Sequence, residues 1–506
     1  MIAGSLIRSA ALVPAHPWPR RRLPGELWAT MAAALAGTPG LDLLAMWADE
    51  SEVYALLLDP AVPEALVASV GVVGGAYASL SRARPVAAWF ERMIHDLWGH
   101  VADGGVDQRA WLDHGVWPMH RPMSGRAAAV SIPPQPPEFL PPEFLPVDGQ
   151  DIHQLALGPI RAGIIEAGHW RLQCDGETVL RAELRLGYTH KGTLGLLRGK
   201  SARAAARFAA RLSGDATVAH AIAFARAAEA ATQTPAPPRA AVLRAIMAEL
   251  ERLANHCGDV GAICEAAGAA AMAARLGLHR EQVLRASAEA FGHRLMMDCV
   301  IPGGVVGDIA PGGAVAIGRA LDGIDEDIDE IRRFDEPGGP LAGRLVGIGR
   351  IDAALAQGLA AGGPVGRASG RGHDCRLVPG YAPYDRFEVE PVLLRAGDVD
   401  ARVRVRVGEL AVAMGLVRRM LPGLPDGAVS VALPPGSGEG LGWAEAFRGD
   451  CWCWLRLESG LISSGFLADP SWRHLPAAEQ GARDGEVGDF PLIERSINLS
   501  CSGIDL

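Results

Sequence analysis

A chain of 506 residues is long enough for more than one domain and a substantial core. With 49% hydrophobic residues and a net charge of −10 it carries no basic footprint, which excludes nucleic acid as the expected partner. No uninterrupted apolar run reaches the roughly 18–20 residues of a spanning helix, so a cytoplasmic protein is expected, with no transmembrane segment of its own and any membrane attachment made through partners.

Residues 1–24 hold Arg8 and then Arg20, Arg21 and Arg22 behind a short Ala/Leu/Val stretch, the reverse of a signal peptide's charge order, and read as a frayed basic segment. Residues 25–125 read as a small α+β unit. Helices are predicted at 27–36 and 85–98, the second with Trp89, Met93 and Leu97 on one face, and strand segments at 54–58, 65–73 and 76–79. His95, Asp96, His100, His114 and His120 crowd this unit and read as satisfied surface and interface residues in preference to a metal site. Residues 126–150 form a linker in which P-P-E-F-L occurs twice, a proline density that predicts extended polyproline II and a semi-rigid spacer.

Residues 151–506 read as a larger α+β domain. An alternating stretch over 158–186 predicts a small antiparallel sheet. Helices then follow at 202–210, 218–231, 238–268 and 282–296, a central bundle with alanine-rich faces suited to close packing. Further helices are predicted at 324–334 and 403–420 and strands at 429–433 and 451–457. The eight cysteines include no C-x-x-C pair, so neither zinc nor an iron–sulfur cluster is expected in this chain. Cys451 and Cys453 would face one side of a strand as a small buried pair, and disulfides are not expected in a reducing cytoplasm. Gly312-Gly313 and the glycines of 338–349 lack the strand–turn–helix setting of a dinucleotide loop, so NADH binding is not expected either.

Two segments carry a pattern with its chemistry removed. Residues 211–220 read Arg-Leu-Ser-Gly-Asp-Ala-Thr-Val-Ala-His, and residues 496–505 read Ser-Ile-Asn-Leu-Ser-Cys-Ser-Gly-Ile-Asp. The first resembles the R-x-C-G-x-C-x-x-A-H segment of nickel–iron hydrogenase large subunits, and the second their S-x-D-P-C-x-x-C-x-D ending. Ser213, Ala216, Ser500 and Gly503 stand in the four cysteine slots. A hydroxyl, a methyl and a hydrogen cannot replace thiolates for nickel, so no metal is expected there and hydrogenase activity is not expected. With Leu506 soon after Gly503, no tail for a maturation protease to remove is expected.

The resemblance extends along the chain. Gly187-Tyr188-Thr189-His190-Lys191-Gly192 resembles the G-Y-x-H-[KR]-G turn shared by group 4 hydrogenases and the quinone-site, 49-kDa-type subunit of respiratory complex I. Residues 247–256 resemble the M-A-E-L-x-R-x-x-N-H helix of both families, with Glu249, Arg252 and His256 on one face as a proton relay or an interhelical ion pair. Gly440 to Gly449 resembles their G-x-G-x-x-E-x-x-R-G segment, whose bland reading is a glycine-rich turn in which Glu445 and Arg448 pair with each other. Residues 89–99 and 111–118 resemble the 30-kDa-type accessory subunit of complex I.

The resemblance implies an energy-converting hydrogenase-related subunit in which the accessory domain and the large domain are fused. It implies a peripheral-arm oxidoreductase subunit of a complex I-like membrane complex, docked to an iron–sulfur small subunit and to membrane-arm subunits. The clusters would sit in the small subunit, with no cofactor held by this chain and a quinone as the candidate acceptor. His190 would donate to a quinone carbonyl as a neutral imidazole. His190, Asp215, His220 and the C-terminal tail would line one cavity, with Thr217 and His256 as further quinone contacts. The tyrosine that faces the histidine in complex I falls on Gly214. A purely structural scaffold, with that cleft packed shut by Val218, Leu499 and Ile504, is the rival reading.

Overall fold

The computed structural model describes residues 2–115, 117–125, 128–129, 144–161, 165–333, 336, 341 and 343–506. The fold is mixed α and β, as expected, with several small sheets around a set of packed helices. Most of the polyproline linker lies outside the described residues. Its end does not: Leu145 donates its N–H to Glu183 (2.7 Å), and the Phe144 ring lies beneath the guanidinium groups of Arg171 and Arg185.

The N-terminal sheet has five strands in the spatial order Ala11–Val13, Arg20–Leu23, Ala65–Gly71, Glu52–Leu58 and Asp42–Ala48. Arg20–Leu23 runs parallel to Ala65–Gly71, and the other neighbours are antiparallel. The expected frayed segment is therefore incorrect: residues 2–9 form a helix, and residues 11–13 and 20–23 are strands. The arginine cluster looked solvated because its counter-ions are remote in sequence. Arg20 is buried and pairs with Glu52 (2.8 Å) and with Glu439 (2.9 Å), more than four hundred residues away. Asp42–Ala48 was missed as a strand because nearly every residue is apolar and buried, with no alternation to read.

In the larger part, the strands Ile152–Leu157, His169–Asp175 and Thr178–Arg185 make an antiparallel sheet. A second antiparallel sheet comprises Gly438–Ala446, Gly449–Glu458 and Leu461–Ala468. The helix Thr217–Ala231 lies directly on that sheet with Pro238–Ala266 beside it; Ala270–Phe291 and Val399–Met420 pack on Pro238–Ala266, and Gly313–Arg333 packs on those two. Several predicted ends moved. The helix expected at 282–296 begins at Ala270 and stops at the left-handed Gly292. The helix expected at 403–420 begins at Val399, where the Asp398 carboxylate caps the N–H of Ala401. Residues 429–433 form only an isolated bridge, Ser430 to Gly304, before two prolines. Cys451 and Cys453 are both buried on one strand.

The N-terminal sheet and the larger part share one continuous apolar core. Trp47 packs against Trp454 and Phe466, and Phe90 stacks on Trp472 at 4.6 Å. Arg456 reaches from the second sheet to Asp49 at 2.7 Å. A protease cut within 133–143 should consequently leave the two pieces associated on a native sizing column, contrary to the release that the linker alone suggests. Elution of a separate folded N-terminal fragment would contradict this shared core.

Candidate functional site

The four slots converge. The helix Thr217–Ala231 starts beside Ser213 and Ala216, and the short C-terminal helix Cys501–Asp505 is capped by the Ser500 hydroxyl, which accepts the Gly503 N–H at 3.0 Å. Ser213 Oγ lies 2.8 Å from Ser500 Oγ and donates to Asp215 at 2.7 Å. The Arg448 guanidinium holds Asp215 in turn at 2.5 Å. Burial opposes the charge on Arg448, but Asp215 and Asp469 outweigh it, and its pKa is raised. On the other side Glu166 accepts from Ser500 Oγ (3.1 Å), Ser502 N (2.8 Å) and Ser502 Oγ (2.6 Å). The ligand slots are thus closed by a hydroxyl–carboxylate–guanidinium network.

The nickel–iron centre that the resemblance brings to mind does not fit this network. Ala216 has no donor atom, and a Cβ at Gly503 would stand 2.8 Å from Asp469 Cγ and 3.0 Å from Ser500 Oγ. The purified protein should therefore carry far less than one nickel per chain. Elemental analysis near one nickel would overturn that expectation.

Asp469 is fully buried and lies 2.9 Å from His220 Nε2. Burial works against its charge, yet the His220 hydrogen bond and Arg448 hold its pKa below the usual carboxylate range. Cys451 Sγ is 3.8 Å from the same imidazole nitrogen, and burial pushes its thiol pKa up. Among the described residues His220, Cys451 and Asp469 are the one group of metal-ligating side chains gathered within 4.8 Å. The histidines of the N-terminal unit go elsewhere: His100 to Asp49 O, His114 to Leu186 O and His120 to Asp113.

The candidates do not share one cavity. A cavity of about 770 Å³ opens beside the slots, lined by Gly214, Asp215, Glu251, Asn255, Leu499 and Cys501 among others. Asp215 is in it. His220 is fully buried on Asp469, His256 is fully buried on Glu409 (2.7 Å), and Thr217 is buried with its hydroxyl unpartnered. Val218 and Ile504 are buried while Leu499 reaches the cavity wall.

His190 stands apart on its half-buried turn, stacked 4.6 Å from Trp117, with Nδ1 2.5 Å from Asp505 O. Asp505 also accepts from Gly187 N and Thr189 N, which fastens the turn to the C-terminal helix. A carbonyl can only accept, so Nδ1 carries the proton and the neutral ring offers Nε2 as an acceptor. The expected donation by a neutral imidazole is incorrect; His190 can donate outward only as an imidazolium. Burial lowers its pKa, so that form is scarce at neutral pH.

Glu251 is the residue that sequence reasoning missed. Its carboxyl accepts Val218 N (2.7 Å) and Ala219 N (3.1 Å) at the start of the helix Thr217–Ala231. Burial pushes it up to about 8, the two N–H bonds pull it down, and nearby Asp215 raises it further. Its pKa thus lies near neutral, where a carboxyl at the cavity wall can take up and release a proton. Its position four residues before Asn255 in the matched helix was the available signal.

Glu249, Arg252 and His256 belong to a buried charge chain. Glu249 accepts from Arg252 (3.0 Å), Arg376 (3.0 Å) and Tyr384 Oη (2.6 Å). Arg376 pairs with Asp374 (2.7 Å), and Arg367 bridges Glu409 (2.7 Å) and Glu445 (3.0 Å). Glu445 and Arg448 do not pair with each other, because their strand and the turn after it send them to different partners.

The family described as respiratory-chain NADH dehydrogenase, 49-kDa subunit, matches residues 267–435. The carbon monoxide-induced hydrogenase of Rhodospirillum rubrum is 28% identical over 69% of this chain and 99% of its own length. Formate hydrogenlyase subunit 5 of Escherichia coli K12 is 27% identical over 84% of this chain and 76% of its own. An NADH-quinone oxidoreductase C/D subunit from Cereibacter sphaeroides is 26% identical over 72% of this chain and 64% of its own. In three dimensions a chain of the membrane-bound sulfane sulfur reductase, an archaeal respiratory membrane complex, superposes with a TM-score of 0.66 at 23% identity, covering 72% of this chain and all of that one. That likeness shows the fold. Among the described residues no helix is long and apolar enough to cross a membrane. The chain is thus similar to respiratory-chain NADH dehydrogenase 49-kDa subunits, whose family model matches residues 267–435, and to hydrogenase subunits.

Proposed function

We propose that this chain is the peripheral subunit of a membrane-bound, complex I-like oxidoreductase. It takes electrons from an iron–sulfur partner subunit and passes them to a quinone without a nickel–iron centre of its own. The observation that carries the reading is the cavity beside Ser213 and Ser500, with the buried Glu251 carboxyl, its pKa pushed up by burial, at its wall. A quinone carbonyl gains negative charge as electrons arrive, and a carboxyl with a pKa near neutral is well matched to protonate it. Asp215 is held by Arg448 and Ser213 and so stays in place as the fixed charge of the cavity. The relatives described as NADH-quinone oxidoreductase subunits and formate hydrogenlyase support membership of such a complex. The buried Val218 and Ile504 favour the scaffold alternative, in which the chain only joins the iron–sulfur subunit to the membrane module.

The test uses the complete complex purified from its membrane. Glu251→Gln should lower quinone reduction by at least ~10-fold with assembly intact, a floor below the usual loss of an acid–base group, whereas His190→Ala, on a turn away from the cavity, should leave turnover nearly unchanged. Glu251 has its pKa raised, so its donating form disappears as pH rises through about 8, and turnover should fall there in the wild type. Glu251→Gln should flatten that limb. Unchanged turnover in assembled Glu251→Gln would replace the catalytic reading by the scaffold.

A further inference from the structure

In the first turn of the helix Thr217–Ala231, His220 directs its Nε2 at two groups brought from other segments. Asp469 Oδ2, just past the strand Leu461–Ala468, lies 2.9 Å away, and Cys451 Sγ, on the strand Gly449–Glu458, lies 3.8 Å away. The three donor atoms fall within 4.8 Å of one another, and no residue of the three is more than 1% exposed. Among the described residues the thiol has no other polar partner, and the His220 Nδ1 has none at all. Nothing on the Nδ1 side of the ring therefore forces its proton onto Nε2.

The separations suit a small tetrahedral ion. Zinc, with bonds of about 2.0 Å to nitrogen and oxygen and about 2.3 Å to sulfur, sets its donors about 3.3 Å apart from nitrogen to oxygen and about 3.6 Å from nitrogen to sulfur. Both observed distances lie within about half an ångström of these values. The charges close as well. One thiolate and one carboxylate balance a divalent cation beside a neutral imidazole, which suits a place withdrawn from water. Arg448, whose charge also acts on Asp469, is already matched by Asp215. Ser471 N donates to Asp469 Oδ1 at 2.8 Å, which orients the carboxylate and leaves Oδ2 toward the cluster.

We infer that His220, Cys451 and Asp469 bind one zinc ion, with a water molecule as its fourth ligand. The ion takes the place of the thiol proton, which leaves to solvent, and of the hydrogen bond between Nε2 and Asp469, with the imidazole proton moving to Nδ1. It would fasten the start of the helix Thr217–Ala231 to the strand Gly449–Glu458 and to the end of Leu461–Ala468. One sulfur, one nitrogen and one oxygen donor in this arrangement suit zinc. None of Ser213, Ala216, Ser500 and Gly503 is a ligand. The sequence carried no zinc signal because the three residues come from segments far apart in the chain, with none of the short spacings that mark such sites. The site shares no residue with the lining of the cavity that holds Glu251 and does not depend on the quinone reading.

Cobalt(II) tests the site, because a thiolate bonded to it gives a near-ultraviolet charge-transfer band that nitrogen and oxygen donors do not. The full chain, stripped with a chelator and incubated with cobalt(II), should take up one ion and show that band, and zinc should displace it. Cys451→Ser should lose the band. Cys453→Ser, equally buried two residues along the same strand, should keep it. His220→Gln should weaken uptake by at least about tenfold. The parent chain decides even where a core variant fails to fold. A folded parent chain that shows no cobalt–thiolate band, a band that survives in Cys451→Ser, or a band lost in folded Cys453→Ser would each overturn the inference.

Discussion

Replacing Arg367 by methionine is expected to cost about 3–5 kcal/mol of stability, the range for removing one partner of a buried ion pair. The side chain is fully buried and joins carboxylates from two directions, Glu409 at 2.7 Å and Glu445 at 3.0 Å, while donating to His373 O at 3.1 Å. Burial opposes its charge, but Glu409, Glu445 and Asp374 outweigh it and raise its pKa. Without the guanidinium, Glu445 keeps, among the described residues, only the Cys375 N–H as a donor to its side chain, and burial already raises its pKa. Methionine keeps most of the volume and removes the charge, so the loss reads the charge balance of the core. Urea unfolding followed by tryptophan fluorescence would measure it. A change below about 1 kcal/mol would show that Arg376 and Arg252 compensate within the network.

The second large effect is expected at Gly442. The helix Thr217–Ala231 presses its backbone onto the strand Gly438–Ala446, and a Cβ at Gly442 would stand 2.2 Å from Ala223 O and 2.4 Å from Ala227 N. A Cβ at Gly440 would stand 2.0 Å from Ala227 O. Neither contact involves a flexible side chain that could move aside. Gly442→Val should then cost at least about 3 kcal/mol, at or beyond the upper end of ordinary overpacking. It should also displace Thr217 and His220, which ride on the same helix. Gly277→Ala supplies the contrast: it lies mid-helix with nothing within 4 Å and should stabilise by about 0.5–1 kcal/mol. Thermal unfolding of the two variants beside the parent chain checks both signs.

The local features of this protein were legible in the chain. Ser213, Ala216, Ser500 and Gly503 drew notice because the residues around each pair keep the order and spacing of the motifs they resemble, and the structure brings the two segments together. The helix at 202–210 and the one expected at 238–268, which ends at Ala266, followed from their periodicity and from Pro238 at the first helical turn. Periodicity is a property of neighbours, so one sequence suffices to read it. Gly440 and Gly442 were visible as a motif, but their reason was not, since it is the close approach of a helix two hundred residues earlier.

What only the tertiary structure decided were the partners of charged groups. Arg20 looked like part of a solvated tail until Glu52 and Glu439 were brought against it. Glu445 and Arg448 looked like mutual partners, but Arg448 goes to Asp215 and Glu445 to Arg367. Glu251 acquires its raised pKa from burial by segments distant in the chain, and His190 has its tautomer set by a carbonyl 315 residues away. A charge interacts with whatever lies within a few ångströms of it in a medium that the fold itself makes less polar. Both the neighbours and the medium are products of long-range packing. The identities of Ser213, Ala216, Ser500 and Gly503 were therefore written in the sequence, while the network that joins Ser213 and Ser500 to Asp215, Arg448 and Glu166 was settled by the fold.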